Sequence, residues 1–286
     1  MNQRAEDAFR ADIVEVGRRM YARGYVASND GNISIRLDDE SVLTTPKGVS
    51  KGFMTPDMMV VVDLDGKKIR GTRDASSELL MHLEVYRNRA DVRAVVHAHP
   101  PTATGFAVAG IPLDRAVLAE VVTTLGSIPI AEYGTPSTPE LPAAVRKYIK
   151  AHDGLLLANH GALTVAGDVY AAYFKMETIE HFAKISLVAR QLGREHLLSR
   201  NEVLRLQELR GNYGIKSPAP ICADPTSDSA SADPALCQTV EAPSSPGVRL
   251  VPTDPADLDG EIRLSYRELT ALIEDAVKAL LGGQHG

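Results

Sequence analysis

The chain has 286 residues, 44% hydrophobic and 24% charged, with a net charge of −6 and two cysteines. This is the mix of a soluble globular protein with a sizeable core. It excludes a membrane span, argues against nucleic acid as a partner, and leaves too few cysteines for a disulfide framework.

A first helix is expected over Ala5–Arg23, ended by Gly24. The turn-rich loop Ser28-Asn-Asp-Gly31-Asn32 leads into strands at Asn32–Arg36 and Ser41–Thr44. Thr44-Thr-Pro-Lys47-Gly48 is a second turn-rich loop, and a strand at Met59–Asp63 runs into an Asp65-Gly66 hairpin turn. A helix over Ser77–Arg89 precedes the apolar strand Val92–His97. Further strands fit Ile128–Ile130 and Gly154–Ala158, and helices fit Glu140–Lys150, Asp168–Leu192 and Arg200–Tyr213. Strands interleaved with helices make residues 1–216 one α/β or α+β domain.

Three runs carry chemistry. In Val95-Val-His97-Ala-His99-Pro100, residues two apart on a strand face one side, so the pair reads either as half of a zinc site or as two surface histidines. Leu155-Leu-Leu-Ala-Asn-His160-Gly161 repeats the plan of apolar strand then histidine, and as a third member His160 would complete a three-histidine site with an open position. Ser76-Ser77-Glu78 opens a helix, where hydroxyls and free N–H groups suit phosphate, although the same residues serve as ordinary caps. Glu78 and His82, four apart, can pair on the helix face, and His82 is read as structural. The glycine turns at Gly31 and Gly48, with Lys47, can cradle an anion, though each alone is an ordinary turn.

Residues 217–260 hold eight of the 17 prolines and seven acids against the single base Arg249, the composition of a flexible linker. Both cysteines, Cys222 and Cys237, fall there, and a reducing cytoplasm is the simplest setting for the chain. Within 261–286, Leu269, Leu272, Ile273, Val277, Leu280 and Leu281 line one face of a helix that Ser265 and Glu268 cap and Gly282-Gly283 end.

Taken together and in this order, the HAHP, NHGA, SSE and glycine-loop runs resemble the class II aldolase/adducin family over roughly residues 5–215. The resemblance implies a central, mainly antiparallel sheet flanked by helices. It implies one zinc per subunit on His97, His99 and His160, with Glu78 as displaceable ligand and acid/base. Ser76, Ser77, Gly31 and Asn32 match the family's phosphate pocket, and Lys47-Gly48 stand where its fuculose-phosphate aldolases have Thr-Gly. Tyr213 resembles a tyrosine that reaches a neighbouring subunit's site in a homotetramer. A second family tyrosine, the proton donor, has no counterpart in Asp114–Glu120.

The implied activity is a zinc-dependent aldolase that cleaves a ketose 1-phosphate of the L-fuculose 1-phosphate type to dihydroxyacetone phosphate and a small aldehyde such as L-lactaldehyde. Its rivals are an aldolase or dehydratase on 5-deoxyribulose or 5-methylthioribulose 1-phosphate, and an adducin-like non-catalytic binding module. A decarboxylase is disfavoured because the serine and glycine loops suit phosphate. The C-terminal helix, residues 265–281, resembles the encapsulation peptides that dock on shell proteins of bacterial microcompartments, the alternative being docking on its own body or on its copies.

Overall fold

The computed structural model describes residues 3–213, 215, 216 and 218–221. Helix α1 covers Gln3–Ala22 and ends at Gly24, whose φ of +69° suits a residue without a Cβ. Strands β1 (Asn32–Arg36) and β2 (Ser41–Thr44) start and stop at the expected residues, and β3 covers Val60–Asp63. The Asp65-Gly66 turn exists and leads to a strand the sequence did not announce, β4 (Lys68–Arg70), whose three residues are all exposed. The Asp63 carboxylate shapes that turn by accepting the backbone N–H groups of Asp65 and Lys67.

Next come α2 (Leu79–Asn88), β5 (Ala94–Ala98), α3 (Pro101–Val108), α4 (Ala119–Thr124) and β6 (Ile130–Ala131). They are followed by α5 (Glu140–Arg146), β7 (Gly154–Leu157), β8 (Gly161–Ala166), α6 (Val169–Gln191) and α7 (Arg200–Asn212). The last two helices begin at sequence-legible caps: Asp168 accepts the N–H of Ala171, and Ser199 forms a capping box with Glu202. Helices α3 and α4 and strand β8 are additions to the sequence reading. Helix α5 stops short of the expected Lys150 because its last turns tighten to i→i−3 bonds at Lys147 and Tyr148.

The eight strands form one sheet in the order β4-β3-β2-β1-β5-β8-β7-β6, antiparallel at every step except β6 with β7. This is the mainly antiparallel, helix-flanked sheet that the family resemblance implies. Alternation along the strands divides the core in two. Ile33, Ile35, Val96 and Leu156 face α1, α3 and α6, while Val42, Val95, Leu155 and Leu163 face α2 and α5. Ser34 sits among the second set, where its hydroxyl lies 2.7 Å from His82 Nδ1 and 2.8 Å from the Tyr86 hydroxyl.

The linker expected from residue 217 starts against the body. The Pro220 carbonyl accepts the N–H of Ser127 at 2.8 Å, and a Cβ at Gly126 would come within 2.6 Å of Ala219. The rest of that linker, both cysteines and the helix expected at 265–281 lie outside the described residues.

Burial, with His97 nearby, pulls the His82 imidazole down to about 3. The unfolded chain, whose histidines titrate near 6.5, therefore takes up a proton that the native state refuses, and stability falls as pH drops from about 6.5 toward 3. His82 contributes up to about 1.4 kcal/mol per pH unit across that window. Thermal melts at pH 7, 6 and 5 should show a smaller acid loss in His82→Gln than in the wild-type chain. Equal acid losses would remove His82 as the source.

Candidate metal centre and anion cleft

The three histidines come from one neighbourhood of the sheet. Strand β5 carries His97 and ends just before His99, and β8 pairs with it so that Ala98 lies opposite Ala162. His160 sits at the tip of the tight β7–β8 hairpin, where Asn159 takes φ +54°, a left-handed conformation that asparagine tolerates. Gly161 makes the approach possible, since a Cβ there would stand 2.5 Å from the Ala98 carbonyl and 2.6 Å from the His99 ring.

His97, wholly buried, places Nδ1 2.9 Å from the Ala162 carbonyl, and a proton donated there leaves the lone pair on Nε2. That Nε2 is 3.2 Å from His99 Nε2, and His99 Nδ1 in turn lies 3.5 Å from the Asp30 carboxylate. The three rings stand 4.8–5.1 Å apart, and one nitrogen from each falls within 4.8 Å of the others. Burial, together with His97 and His160, pulls His99 down to about 4, which keeps its ring neutral near pH 7. Ring nitrogens turned toward one another at this spacing, with the second nitrogen of His97 on a carbonyl and that of His99 facing a carboxylate, fit a divalent metal.

Glu78 completes the cluster. It caps α2, with Oε1 3.0 Å from His160 Nε2 and Oε2 3.4 Å from His97 Nε2. Asn32, paired with His97 across β1 and β5, donates its side-chain N–H to Oε2 at 2.8 Å. Burial alone would raise the Glu78 carboxyl, but His97 and His160 outweigh it and hold the group well below the usual carboxylate range. The i,i+4 pairing with His82 does not form; Glu78 turns to the three-histidine side instead.

Gly31, Asn32, Lys47 and Gly48 meet Ser76, Ser77 and Glu78 along a cleft of about 400 Å³ that His99 and His160 also line. The two loops are stitched together: Pro46 bridges to Ala75, the Ser76 N–H reaches the Thr45 carbonyl, and the Lys47 N–H reaches the Asp74 carbonyl. Gly31 has φ +71°, and a Cβ would meet Val26 at 2.7 Å and the His97 carbonyl at 2.8 Å. The serines stand in the turn before α2, not in its first turn. Tyr213, exposed at the end of α7, lies outside this cleft of its own chain.

Sequence reasoning passed over two charged members of the cleft, Asp30 and Lys51. Asp30 had a signal, its place beside Gly31 and Asn32 in the turn-rich loop. Lys51 had none, because nothing in Val49-Ser-Lys-Gly-Phe53 announces a buried lysine.

His97→Ala should fold and lose bound metal, read as metal per chain after purification and gel filtration. Gly161→Ala should keep all three histidines yet weaken metal affinity by roughly 10–100-fold, the usual cost of disturbing a ligand's support. Unchanged affinity in the glycine variant would mean that the contact with His99 is not tight in solution.

Residues 11–187 match the profile of the Class II Aldolase and Adducin N-terminal domain. L-Fuculose phosphate aldolase of Methanococcus maripaludis is 34% identical over 181 residues, 63% of this chain and 97% of that protein. The 3-oxo-tetronate 4-phosphate decarboxylase of Pectobacterium atrosepticum is 31% identical over 188 residues, covering 64% and 86%. The 5-deoxy-D-ribulose 1-phosphate aldolase of Bacillus thuringiensis is 34% identical over 206 residues, covering 72% and 96%. A solved L-fuculose 1-phosphate aldolase superposes with a TM-score of 0.67 at 29% identity, over 71% of this chain and 95% of that one. With its sheet, its histidine cluster and its profile in agreement, the chain belongs to the class II aldolase and adducin family.

Proposed function

We propose that this chain is a zinc-dependent lyase that cleaves a ketose 1-phosphate of the fuculose type to dihydroxyacetone phosphate and a small aldehyde. The observation that carries the reading is the placement of Glu78. One carboxylate touches the histidine cluster, through His97 and His160, and lines the same cleft as two glycine turns, two serines and Lys47. That puts an acid/base group between an electrophile's seat and an anion's seat.

The phosphate would lie against the Gly31 and Gly48 turns, with the Ser76 and Ser77 hydroxyls and the Lys47 ammonium completing its partners. A divalent cation on His97, His99 and His160 would supply Lewis-acid polarisation of the ketose carbonyl. When the C3–C4 bond breaks, its electron pair would move toward that carbonyl, and the C4 hydroxyl proton would pass through water to the Glu78 carboxylate, leaving the aldehyde. Glu78 is the group placed to return a proton to C3, and Asn32 holds its carboxylate in place through Oε2. A homotetramer would let Tyr213 serve a neighbour's cleft, and residues 265–281 would dock on a shell protein.

A second reading is favoured by the absence of a tyrosine in Asp114–Glu120 and by the decarboxylase among the relatives. The preference for phosphate does not set it aside, because that relative's named substrate is itself a phosphate. Here the same carbonyl polarisation would assist loss of carbon dioxide from a 3-oxo acid phosphate.

Purified, metal-loaded protein offered L-fuculose 1-phosphate, 5-deoxyribulose 1-phosphate and a 3-oxo-tetronate 4-phosphate in parallel separates these readings. Dihydroxyacetone phosphate from either ketose supports the aldolase, and carbon dioxide without it supports the decarboxylase. Protein without metal or turnover would point to the binding module. Glu78→Gln should keep its metal while kcat falls by about 10²–10⁴-fold, the usual range for a lost acid/base group.

A further inference from the structure

Lys51 is only 2% exposed, yet it lines the anion cleft together with Gly31, Gly48 and Ser76. Its ammonium donates to the Asn29 carbonyl at 2.8 Å and to the Val49 carbonyl at 2.7 Å. Those two carbonyls belong to the two glycine loops, so one side chain ties both. A lysine has three hydrogens to give, and the third meets no acceptor among the described residues. No carboxylate of the described residues lies within 4.0 Å of the ammonium either; its acidic neighbours Asp30 and Glu78 act on it only at longer range.

The position is fixed from behind. Lys51 opens a one-turn 3-10 segment, Lys51–Phe53, pressed onto α1 at two glycines. A Cβ at Gly17 would stand 2.7 Å from the Lys51 carbonyl, and one at Gly52 would stand 2.5 Å from the Tyr21 ring. The stem therefore has little room to swing out, and the charge must stay where burial penalises it. That burial pulls the ammonium down to about 8, as expected of a cation still short of a counter-ion.

We propose that Lys51 is a ligand-binding residue of this cleft, its third N–H and its fixed positive charge reserved for the phosphate group of the substrate. The assignment rests on the reading above that the cleft takes a phosphate, and it adds to the exposed Lys47 a cation that is ordered before the ligand arrives. A preorganised donor loses little freedom on binding, so it discriminates a phosphate from a neutral sugar more sharply than a surface lysine does.

Inorganic phosphate alone is the probe, titrated by calorimetry into metal-loaded wild-type chain, Lys51→Gln and Lys51→Arg. Glutamine keeps two N–H donors, on a stem one atom shorter, but carries no charge, whereas arginine keeps the charge, so the two variants together separate loop tying from anion binding. Lys51→Gln should bind phosphate at least about tenfold more weakly with metal content unchanged, and Lys51→Arg should recover much of the loss. Wild-type affinity in Lys51→Gln would overturn the assignment and leave Lys51 as a loop tie.

Should both variants misfold, wild-type protein labelled with ¹⁵N in its lysine side chains decides. A buried, hydrogen-bonded ammonium exchanges slowly enough to give a signal, and saturating phosphate should shift it; no shift among the slowly exchanging signals would overturn the proposal. Neither measurement requires turnover, so a failed aldolase assay and a failed phosphate site are told apart.

Discussion

The hydrogen bond from His97 to the Ala162 carbonyl joins two strands at the middle of the sheet, and the rest of the centre is arranged around it. It selects which nitrogen of His97 points outward. The pairing it accompanies, β5 with β8, also brings the hairpin tip with His160 alongside His99. On the other side, β1 pairs with β5 so that Asn32 lies opposite His97 and reaches Glu78. Because side chains alternate with a period of two, a one-residue slip at either seam would turn His97 or Asn32 to the opposite face. The register of the fold and the geometry of the centre are thus one constraint.

Electrostatics reinforce that arrangement. Burial, with His97 and His160 beside it, keeps the His99 ring neutral, so that it can offer a lone pair to a cation. Glu78 remains ionised in the same setting because its neighbours favour the charged form more than burial opposes it. Elsewhere in the cleft the balance reverses, with Lys47 and Lys51 beside glycine turns whose amides also carry positive character. On the proposed reading the cleft has a metal-binding end and a phosphate-binding end, with the Glu78 carboxylate between them.

Much of this could be read from the residues, and the remainder failed for identifiable reasons. Strands β1 and β2 were legible to the residue because the alternating Ile33 and Ile35 and the short Val42-Leu43 run are each bounded by turns. The histidines were legible as candidates because each follows an apolar strand, but their convergence depends on a pairing between residues some 65 positions apart, which no local pattern encodes. Helix α3 was not read because adjacent prolines ordinarily interrupt helices; Pro101 instead starts this one, and the buried Glu180 carboxylate accepts the N–H groups of Thr102 and Ala103 from 77–78 residues away. Strand β8 was hidden because the turn before it relies on Asn159 in a left-handed conformation and not on an Asn-Gly pair. Lys51 lay beyond sequence reading altogether, since lysine is ordinarily a surface residue and only packing against α1 buries it.

The two ends of the sheet have a further effect. On one side β4 is three residues long, fully exposed and flanked by charge, with Lys68 paired to Asp74 and Arg70 to Glu6. On the other, β6 offers only two residues. Neither margin gives an incoming strand a long, neutral ladder of free N–H and C=O groups to continue. Growth of the sheet from chain to chain is disfavoured at both margins, so any partner of the described body has helices and loops, not open backbone, to recognise.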